Sequence, residues 1–285
     1  MTSENPTTDI RNAHGDVRNL DVAVVGAGFS GLYMLHRLRA LGLDVKVFDA
    51  AGGVGGTWYW NCYPGARCDI QSVEYSYRFS EELQQEWDWT ERYASQPEIL
   101  RYLNHVADRF ELRSDIQLNT RISGLHFNDE SQDWSVFTPG GEEIRARFIV
   151  MASGGLSSPY IPDFQGRARF RGLSVHTGQW PQDGVDFSGK RVAVIGTGSS
   201  GVQCVPIIAQ QAEHLTLFQR SPTFSVPAGN HLLTEESLAR IKAGYADLRE
   251  RNDATMGGYG ADHPVNTQSA LSVSAEEMQR QYAYR

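Results

Sequence analysis

The stretch VAVVGAGFSG, residues 22–31, decides the fold of this chain. It is an apolar run that passes into three glycines with the spacing G-x-G-x-x-G, and Leu32, Leu35 and Leu38 follow at near-helical spacing. The next apolar run, VKVF at residues 45–48, has the length of a buried strand. A strand, a tight turn, a helix and a second strand form a βαβ unit. The sequence therefore predicts an α/β protein with a parallel sheet.

The glycines of this turn predict a dinucleotide site. In such a turn the first glycine allows the bend, the second lets the backbone approach a pyrophosphate, and the third lets helix and strand pack closely. Asp49 follows the second strand, where a carboxylate accepts hydrogen bonds from a ribose and disfavours a 2′-phosphate, so we expect FAD or NAD. The alternative is a glycine-rich turn that binds nothing. The candidate residues are Gly26, Gly28, Phe29, Ser30, Gly31 and Asp49.

The same pattern returns in RVAVIGTGSSG, residues 191–201, followed by a helix predicted over about 200–211 and a strand ending in FQR. Here Arg220 stands where Asp49 stood in the first unit. A guanidinium pairs well with a 2′-phosphate and Ser221 adds a hydroxyl donor, so the second site is predicted to prefer NADP; an ordinary surface arginine is the alternative. The candidates are Gly196, Thr197, Gly198, Ser199, Ser200, Gly201, Arg220 and Ser221. Two such sites in one chain predict electron transfer from NADPH to a flavin.

The sequence predicts two Rossmann-like dinucleotide-binding domains, and each is incomplete within this chain. The other segments add further helices and strands to them. Ser95 and Glu98 form an S-x-x-E capping box that predicts a helix to about Phe110. Further strands are predicted over 116–122, 134–138 and 144–151, and further helices over 235–251 and from 275. The predicted domains are a disordered leader (1–19), the N-terminal part of an FAD-binding domain (20–152), a linker (153–189), and the first part of an NADP-binding domain with the start of a helical insertion (190–285).

Composition narrows the range of partners. The 285 residues carry a net charge of −8, which argues against nucleic acid or an anionic membrane as a partner. No apolar run approaches the roughly 20 residues that cross a bilayer, and no signal peptide is visible, so we expect a cytoplasmic protein. Three cysteines, Cys62, Cys68 and Cys204, are too few for a disulfide framework and form no C-x-x-C pair, so no metal site is expected.

Three classes of protein fit two dinucleotide sites: a disulfide reductase, a flavin monooxygenase, and a non-catalytic binding fragment. A reductase needs two redox cysteines beside the flavin. In such reductases the first cysteine follows G-G-T directly and four residues separate the pair. Here Trp58 follows Thr57, and five residues separate Cys62 from Cys68. The reductase spacing is therefore absent.

The stretch FRGLSVHTGQWP, residues 170–181, distinguishes the other classes. It fits F-x-G-x-x-x-H-x-x-x-W-P and resembles the fingerprint of type I Baeyer–Villiger monooxygenases. GVGGTWYWNCYPGARCD (53–69) and EWDWTERYASQPEILRY (86–102) resemble the branch that contains phenylacetone, cyclohexanone and steroid monooxygenases. The resemblance covers residues 20–285, the N-terminal half of that family's chain.

The resemblance implies a reaction in which NADPH reduces bound FAD, O₂ adds to give a flavin peroxide, and the peroxide attacks a ketone to form an ester or lactone. It implies that Asp69 lies near the flavin and orients an arginine; a loop cap is the alternative. His176 and Trp180 are candidate catalytic residues for which the family implies a linker role between the two domains; a packed core pair is the alternative. The resemblance adds further cofactor-contacting residues: Thr57, Trp58, Tyr59, Arg67, Cys68, Asp69, Tyr75 and Ile122.

Two departures from the family pattern leave other functions open. Asp49 stands where relatives usually have glutamate, and no residue here matches the arginine that stabilises the peroxide. The chain therefore resembles the N-terminal half of a monooxygenase, as a fragment, a truncated gene or one part of a longer protein, and a separate C-terminal segment is a candidate partner. An N- or S-oxygenating flavin monooxygenase and a non-catalytic dinucleotide-binding fragment remain alternatives.

Overall fold

The computed structural model describes residues 18–156, 158–225, 227–260 and 268–283. The chain divides into two compact units. Residues 1–67 and 95–226 make up the first unit, and residues 68–94 and 227–285 make up the second. Both βαβ units lie in the first of these. The predicted boundary between an FAD-binding and an NADP-binding domain therefore stays a prediction about ligands, because it does not coincide with the division into compact units.

The secondary structure comprises eight strands and eight α-helices in the described part of the chain. The strands are β1 (Arg18–Val25), β2 (Val45–Phe48), β3 (Ile116–Gln117), β4 (Gly124–Asn128), β5 (Asp133–Phe137), β6 (Glu143–Met151), β7 (Arg191–Ile195) and β8 (His214–Phe218). The helices are α1 (Phe29–Ala40), α2 (Thr57–Trp60), α3 (Glu81–Glu86), α4 (Gln96–Arg109), α5 (Ser199–Ala209), α6 (Glu235–Ala243), α7 (Tyr245–Asp253) and α8 (Ala275–Ala283).

Six strands form the main sheet of the first unit, in the order β3-β2-β1-β6-β5-β4. β1 pairs in parallel with β2 and with β6, and β2 pairs in parallel with β3. β5 pairs antiparallel with both β4 and β6. β1 is a central strand, and the buried face of α1 includes Leu32 and Leu35, which have no exposed surface. This arrangement confirms the predicted α/β fold and the first βαβ unit.

The second βαβ unit is a smaller sheet in the same compact unit. β7 and β8 pair in parallel, and α5 connects them along the chain. Cys204 and Ile208 of α5 pack with Trp180 and Phe187 in an apolar cluster. Within the described residues β8 pairs only with β7, and Phe218 at its end is 55% exposed. In the described residues β8 is therefore an edge strand with one unpaired side, whereas β1 has a paired strand on each side.

The second compact unit is helical in its described residues. Ser80 caps α3, because its hydroxyl accepts a hydrogen bond from the Leu83 N–H at 3.1 Å. Arg249 of α7 reaches back to this segment and donates to the Gln84 side chain (3.2 Å) and to the Ser76 hydroxyl (2.9 Å). These bonds tie residues 74–84 to the helices that follow residue 227.

Several predicted elements differ from those observed. The strand predicted over 116–122 ends at Gln117, because Asn119 has a φ of 54°, which extended backbone does not adopt. β4 was not predicted, since it starts at a glycine and is short. The helix predicted over 235–251 is two helices, α6 and α7, which meet at Gly244.

The predicted leader and capping box also need correction. Residues 1–17 of the predicted leader lie outside the described residues, whereas Arg18 and Asn19 begin β1 and pair with β6. The predicted helix at 96–110 is present as α4, but the Ser95 side chain makes no capping hydrogen bond. Its backbone instead forms an antiparallel bridge with Arg67, which fixes the start of the helix.

Candidate functional site

The first glycine turn is packed against its own sheet. Gly26 has a φ of 108°, and a Cβ there would meet the Ala152 carbonyl oxygen that follows β6. A Cβ on Gly31 would overlap the Gly26 carbonyl oxygen. The first turn of α1 can therefore lie this close to the turn after β1 only with glycine at position 31. Both contacts are with backbone atoms, which cannot move away as a flexible side chain can. The fold therefore requires glycine at both positions.

The amino end of α1 carries no side-chain cap and no acidic residue in its first turn. Gly28 precedes it, and a Cβ on Gly28 would lie 3.3 Å from the Cα of Gly56 in the following loop. The loop is held there by a hydrogen bond from the Gly55 N–H to the Ala27 carbonyl, at 3.0 Å. An uncapped helix end with a positive dipole and close backbone access suits a pyrophosphate.

Asp49 follows β2 and is only 8% exposed. One carboxylate oxygen accepts the Ala27 N–H at 2.6 Å, and the other accepts the Ala51 N–H at 2.8 Å. The carboxylate therefore holds the glycine turn to the end of β2. A carboxylate oxygen has two acceptor positions, so each one keeps capacity for a ribose hydroxyl. The shorter side chain is thus compatible with the predicted ribose contact.

The loop after the first turn brings the predicted aromatic residues onto α2. Trp58 is 8% exposed, and its carbonyl accepts a hydrogen bond from the Gln96 side chain. The Gln182 side chain, next to the fingerprint, donates to the Tyr59 carbonyl at 3.0 Å. Ile122 packs against the core of the main sheet.

The fingerprint packs on the same loop. Trp180 is 7% exposed and lies in the apolar cluster of α5, with its ring centroid 6.0 Å from that of Phe187. The Cys62 thiol is 3.7 Å from the Trp180 carbonyl. His176 accepts the Gly178 N–H on Nδ1 at 3.1 Å, so a neutral ring carries its proton on Nε2. Trp180 thus packs as a core residue, and His176 shapes the turn before it.

The second glycine turn has the same spacing in an open setting. Gly196 has a φ of 107°, yet a Cβ at Gly196 or Gly198 would meet no described atom within 4 Å. A Cβ on Gly201 would lie 2.5 Å from the Gly196 carbonyl oxygen. The amino end of α5 is uncapped and has no acidic residue in its first turn. It is a second helix end suited to phosphate.

The residues that follow β8 are exposed. Arg220 and Ser221 both lie on the surface, beyond the end of the strand. Thr197 in the glycine turn accepts a hydrogen bond from the Gln219 side chain at 3.0 Å and lies 3.2 Å from the Thr223 hydroxyl. The turn and the end of β8 are therefore tied together, as a site for one ligand requires.

Three predicted residues belong to the second compact unit. Asp69 is exposed, Tyr75 is half-buried, and Cys68 is buried with its N–H bonded to the Ala94 carbonyl at 3.0 Å. Burial raises the pKa of the Cys68 thiol to about 11. The three cysteines of the chain are free. A buried thiol that stays protonated is a poor redox nucleophile, which agrees with the missing reductase spacing.

One contact residue was missed by the sequence analysis. Gln203 of α5 contacts the loop that contains Tyr63 and Arg67 through its side-chain amide. The helical periodicity predicted its helix, but no local pattern marks a glutamine that bonds a distant loop.

Two further observations concern membrane-spanning helices and clusters of metal-ligating side chains. Among the described helices, none has both the length and the apolar character needed to span a membrane. In the same residues, no group of three or more His, Cys, Asp or Glu side chains is arranged to hold a metal ion.

The described geometry matches that of known flavoproteins. Residues 23–247 match the family model described as pyridine nucleotide-disulphide oxidoreductase. The chain is 46% identical to a phenazine N-monooxygenase of Lysobacter antibioticus, over 94% of this chain and 49% of that protein. It is 43% identical to a Baeyer–Villiger monooxygenase of Pseudooceanicola batsensis, over 92% of this chain and 48% of that protein.

Solved structures agree with the sequence relatives. An oxidised steroid monooxygenase bound to NADP is 55% identical with a TM-score of 0.87, over 94% of this chain and 51% of that one. A closed cyclohexanone monooxygenase is 42% identical with a TM-score of 0.89, over 95% and 50%. The chain spans about half the length of the curated relatives it matches. The chain belongs to the pyridine nucleotide-disulphide oxidoreductase family and is a homologue of the Baeyer–Villiger and related flavin monooxygenases, as its fingerprint predicts.

Proposed function

We propose that this chain is part of an FAD- and NADPH-dependent monooxygenase that acts on a ketone. The overall reaction is ketone, O₂, NADPH and a proton giving ester or lactone, NADP⁺ and water. The observation that carries the proposal is the pair of uncapped glycine turns in one compact unit, one followed by buried Asp49 and the other by exposed Arg220. The carboxylate favours a ribose with free hydroxyls, whereas the guanidinium favours a ribose with a 2′-phosphate. The two turns therefore suit two different dinucleotides.

The first turn is the proposed FAD site. The amino end of α1 holds the pyrophosphate, with Gly26, Gly28, Phe29, Ser30 and Gly31 at the contact. Asp49 accepts from a ribose hydroxyl while it keeps its two bonds to the turn. When bound there, FAD supplies two-electron redox chemistry and the activation of O₂.

The second turn is the proposed NADP(H) site. The amino end of α5 holds the pyrophosphate through the turn residues Gly196, Thr197, Gly198, Ser199, Ser200 and Gly201. Arg220 forms an ion pair with the 2′-phosphate, and the Ser221 hydroxyl donates a hydrogen bond to it. A Cβ at Gly198 would meet no described atom within 4 Å, so this turn leaves room for a phosphate beside it.

The remaining residues have proposed roles taken from the family resemblance. Arg67, Cys68 and Asp69 line the nicotinamide side, and Asp69 orients an active-site arginine. His176 and Trp180 link the two dinucleotide sites. The residues proposed to contact FAD outside its glycine turn are Thr57, Trp58, Tyr59, Tyr75 and Ile122.

The setting of the protein is part of the same proposal. The acidic composition favours a cytoplasmic protein that binds small molecules rather than nucleic acid or a membrane surface.

The test is an oxygen-labelling experiment on the purified protein loaded with FAD. NADPH is added without oxygen, and the loss of the oxidised flavin spectrum is recorded. Labelled ¹⁸O₂ and a panel of linear, cyclic and steroid ketones follow. We expect NADPH to reduce the flavin and one labelled atom to appear in an ester. NADPH oxidation that yields hydrogen peroxide alone, with every ketone, contradicts the proposal.

A second candidate function is oxygenation of a ring nitrogen. The 46% identity to a phenazine N-monooxygenase favours it, since the same cofactor chemistry serves both reactions. The same labelled reaction with phenazines and other heteroaromatic amines distinguishes the two. An N-oxide without any ester assigns the protein to N-oxygenation. A protein that binds both dinucleotides and transfers no electrons is a non-catalytic binding unit.

A further inference from the structure

Gln203 joins the helix of the second glycine turn to the loop that follows the first. Its Oε1 accepts the Tyr63 hydroxyl at 2.8 Å and the Arg67 N–H at 3.3 Å. Its Nε2 donates to the Arg67 carbonyl at 3.0 Å. The amide therefore pairs with both backbone groups of Arg67, as a neighbouring strand would. One donor and one acceptor on Arg67 also fix which way the amide points.

The backbone of the loop touches the same residue. Gly65 has a φ of 79°, and a Cβ there would overlap the Gln203 carbonyl oxygen. Loop and helix are thus in direct backbone contact between Tyr63 and Arg67. A joint made of three hydrogen bonds and a glycine contact leaves this segment little freedom to slide along α5.

The chemistry of the joint suits a neutral, permanent contact. Burial raises the pKa of the Tyr63 phenol, so it remains a hydrogen-bond donor at neutral pH. Gln203 is half-buried, and its amide supplies the donor that the Arg67 carbonyl needs. A glutamate would place a carboxylate against that carbonyl, and a methionine would fill the space without any hydrogen bond.

The two ends of the joint lead to two parts of the proposed NADP(H) site. Gln203 lies about one helical turn from Ser199, where α5 begins and where the NADP pyrophosphate is proposed to bind. Arg67 is proposed to line the nicotinamide side. We propose that Gln203 is a positioning residue that transmits coenzyme binding at the start of α5 to the backbone of Arg67. This inference rests on the proposed NADP(H) site.

The test is amide hydrogen exchange at Arg67 with and without NADP⁺, in the wild-type protein and in Gln203→Met. Without coenzyme, we expect the Arg67 amide to exchange about tenfold faster in Gln203→Met, because its acceptor is gone. NADP⁺ should slow this exchange about tenfold in the wild type and leave it unchanged in the variant. Tyr63→Phe removes one of the three bonds and should fall between the two.

The control is Gln210→Met, which makes the same substitution at the exposed end of α5. It should behave as the wild type in every measurement. In the FAD-loaded protein, we expect Gln203→Met to reduce the rate of flavin reduction at saturating NADPH about tenfold, with little change in the NADPH KM. A purely structural role would lower thermal stability without this separation of kcat from KM.

The outcomes separate this inference from the function on which it rests. If NADP⁺ binds and protects Arg67 equally in the wild type and in Gln203→Met, the positioning role is wrong and the proposed function stands. If the Arg67 amide exchanges equally fast in both coenzyme-free proteins, the joint itself is contradicted. If the wild-type protein does not bind NADP⁺, the proposed function and the positioning role both fail.

Discussion

The two glycine turns share the spacing G-x-G-x-x-G and an uncapped helix, but they differ in what surrounds them. In the first turn Gly26 faces the Ala152 carbonyl, Gly28 faces Gly56, and Asp49 is buried. In the second turn no described atom lies within 4 Å of a Cβ at Gly198, and Arg220 is exposed. The first lies beside a central strand of a six-stranded sheet, and the second beside a sheet of two strands.

The difference shows that one motif satisfies two separate requirements. At Gly26 the fold itself excludes a side chain, whether or not a ligand binds. At Gly198 the protein leaves room for a side chain, so a requirement for glycine there would have to come from the proposed ligand. Only the third glycine, Gly31 in the first turn and Gly201 in the second, is required by helix packing in both.

The largest expected effect compares Gly26→Ala with Gly198→Ala. Gly26→Ala places a Cβ against a backbone carbonyl at a positive φ, so we expect it to lower the free energy of unfolding by about 3 kcal/mol or more. Gly198→Ala should change it by no more than about 0.5 kcal/mol and weaken NADP⁺ binding about tenfold, with FAD affinity unchanged. Urea denaturation and coenzyme titration measure both. Equal destabilisation by the two variants would break the comparison.

The two sheets should differ in the rate at which their backbone amides exchange hydrogen with the solvent. Val24 lies in β1, which is paired on both sides, whereas Thr216 lies in β8, which pairs with β7 alone in the described part of the chain. We expect the Val24 amide to exchange about 100-fold more slowly than that of Thr216 in the coenzyme-free protein. The measurement is residue-resolved exchange by NMR. Similar rates at both residues would mean that the second sheet is as well protected as the first.

Arg220→Gln tests whether the exposed arginine that follows β8 contacts the 2′-phosphate of NADPH. Loss of a charge-assisted pair with the 2′-phosphate should weaken NADPH binding about 10- to 100-fold and leave NADH binding nearly unchanged. Arg191→Gln is the matched control, because Arg191 is exposed at the opposite end of β7. Titration of both variants with both coenzymes gives the result. A similar loss for NADH would show that Arg220 does not read the 2′-phosphate.

The smallest expected effect concerns the buried thiol of Cys68. Burial raises the Cys68 pKa from the ordinary 9.0 to about 11, so between these values the unfolded chain loses a proton that the native chain keeps. The free energy of unfolding should therefore fall as pH rises from about 9 to 11, by up to about 2 kcal/mol from this group. Cys68→Ala should flatten that part of the curve. An unchanged pH dependence in Cys68→Ala would mean that the thiol titrates normally.

Much of this architecture was readable in the sequence. The period of the apolar residues and the glycine spacing predicted β1, α1 and β2, and they predicted β7, α5 and β8 as well, because both patterns are local. The fingerprint predicted the family, which the relatives confirm. Prediction failed where local conformation overrides the pattern, as at Asn119, which ends β3, and at Gly244, which divides α6 from α7.

The candidate site was predicted less completely, because its contacts are distant in sequence. The predicted role of Asp49 concerned a ribose, but the structure adds its bonds to the Ala27 and Ala51 N–H groups. Gln203 lies more than a hundred residues from Tyr63 and Arg67, and nothing in the helical period of α5 marks it. The roles of Asp69, His176 and Trp180 stay predictions, since each depends on where a cofactor lies.

The exposed position of Arg220 has a consequence for how freely this residue can change in evolution. A substitution there alters no buried contact of the described chain. Asp49 has no such freedom, because it holds its own glycine turn in place. If the two proposed dinucleotide sites are correct, natural selection can therefore change the residue proposed to select the nicotinamide coenzyme far more readily than the residue proposed to contact the flavin nucleotide.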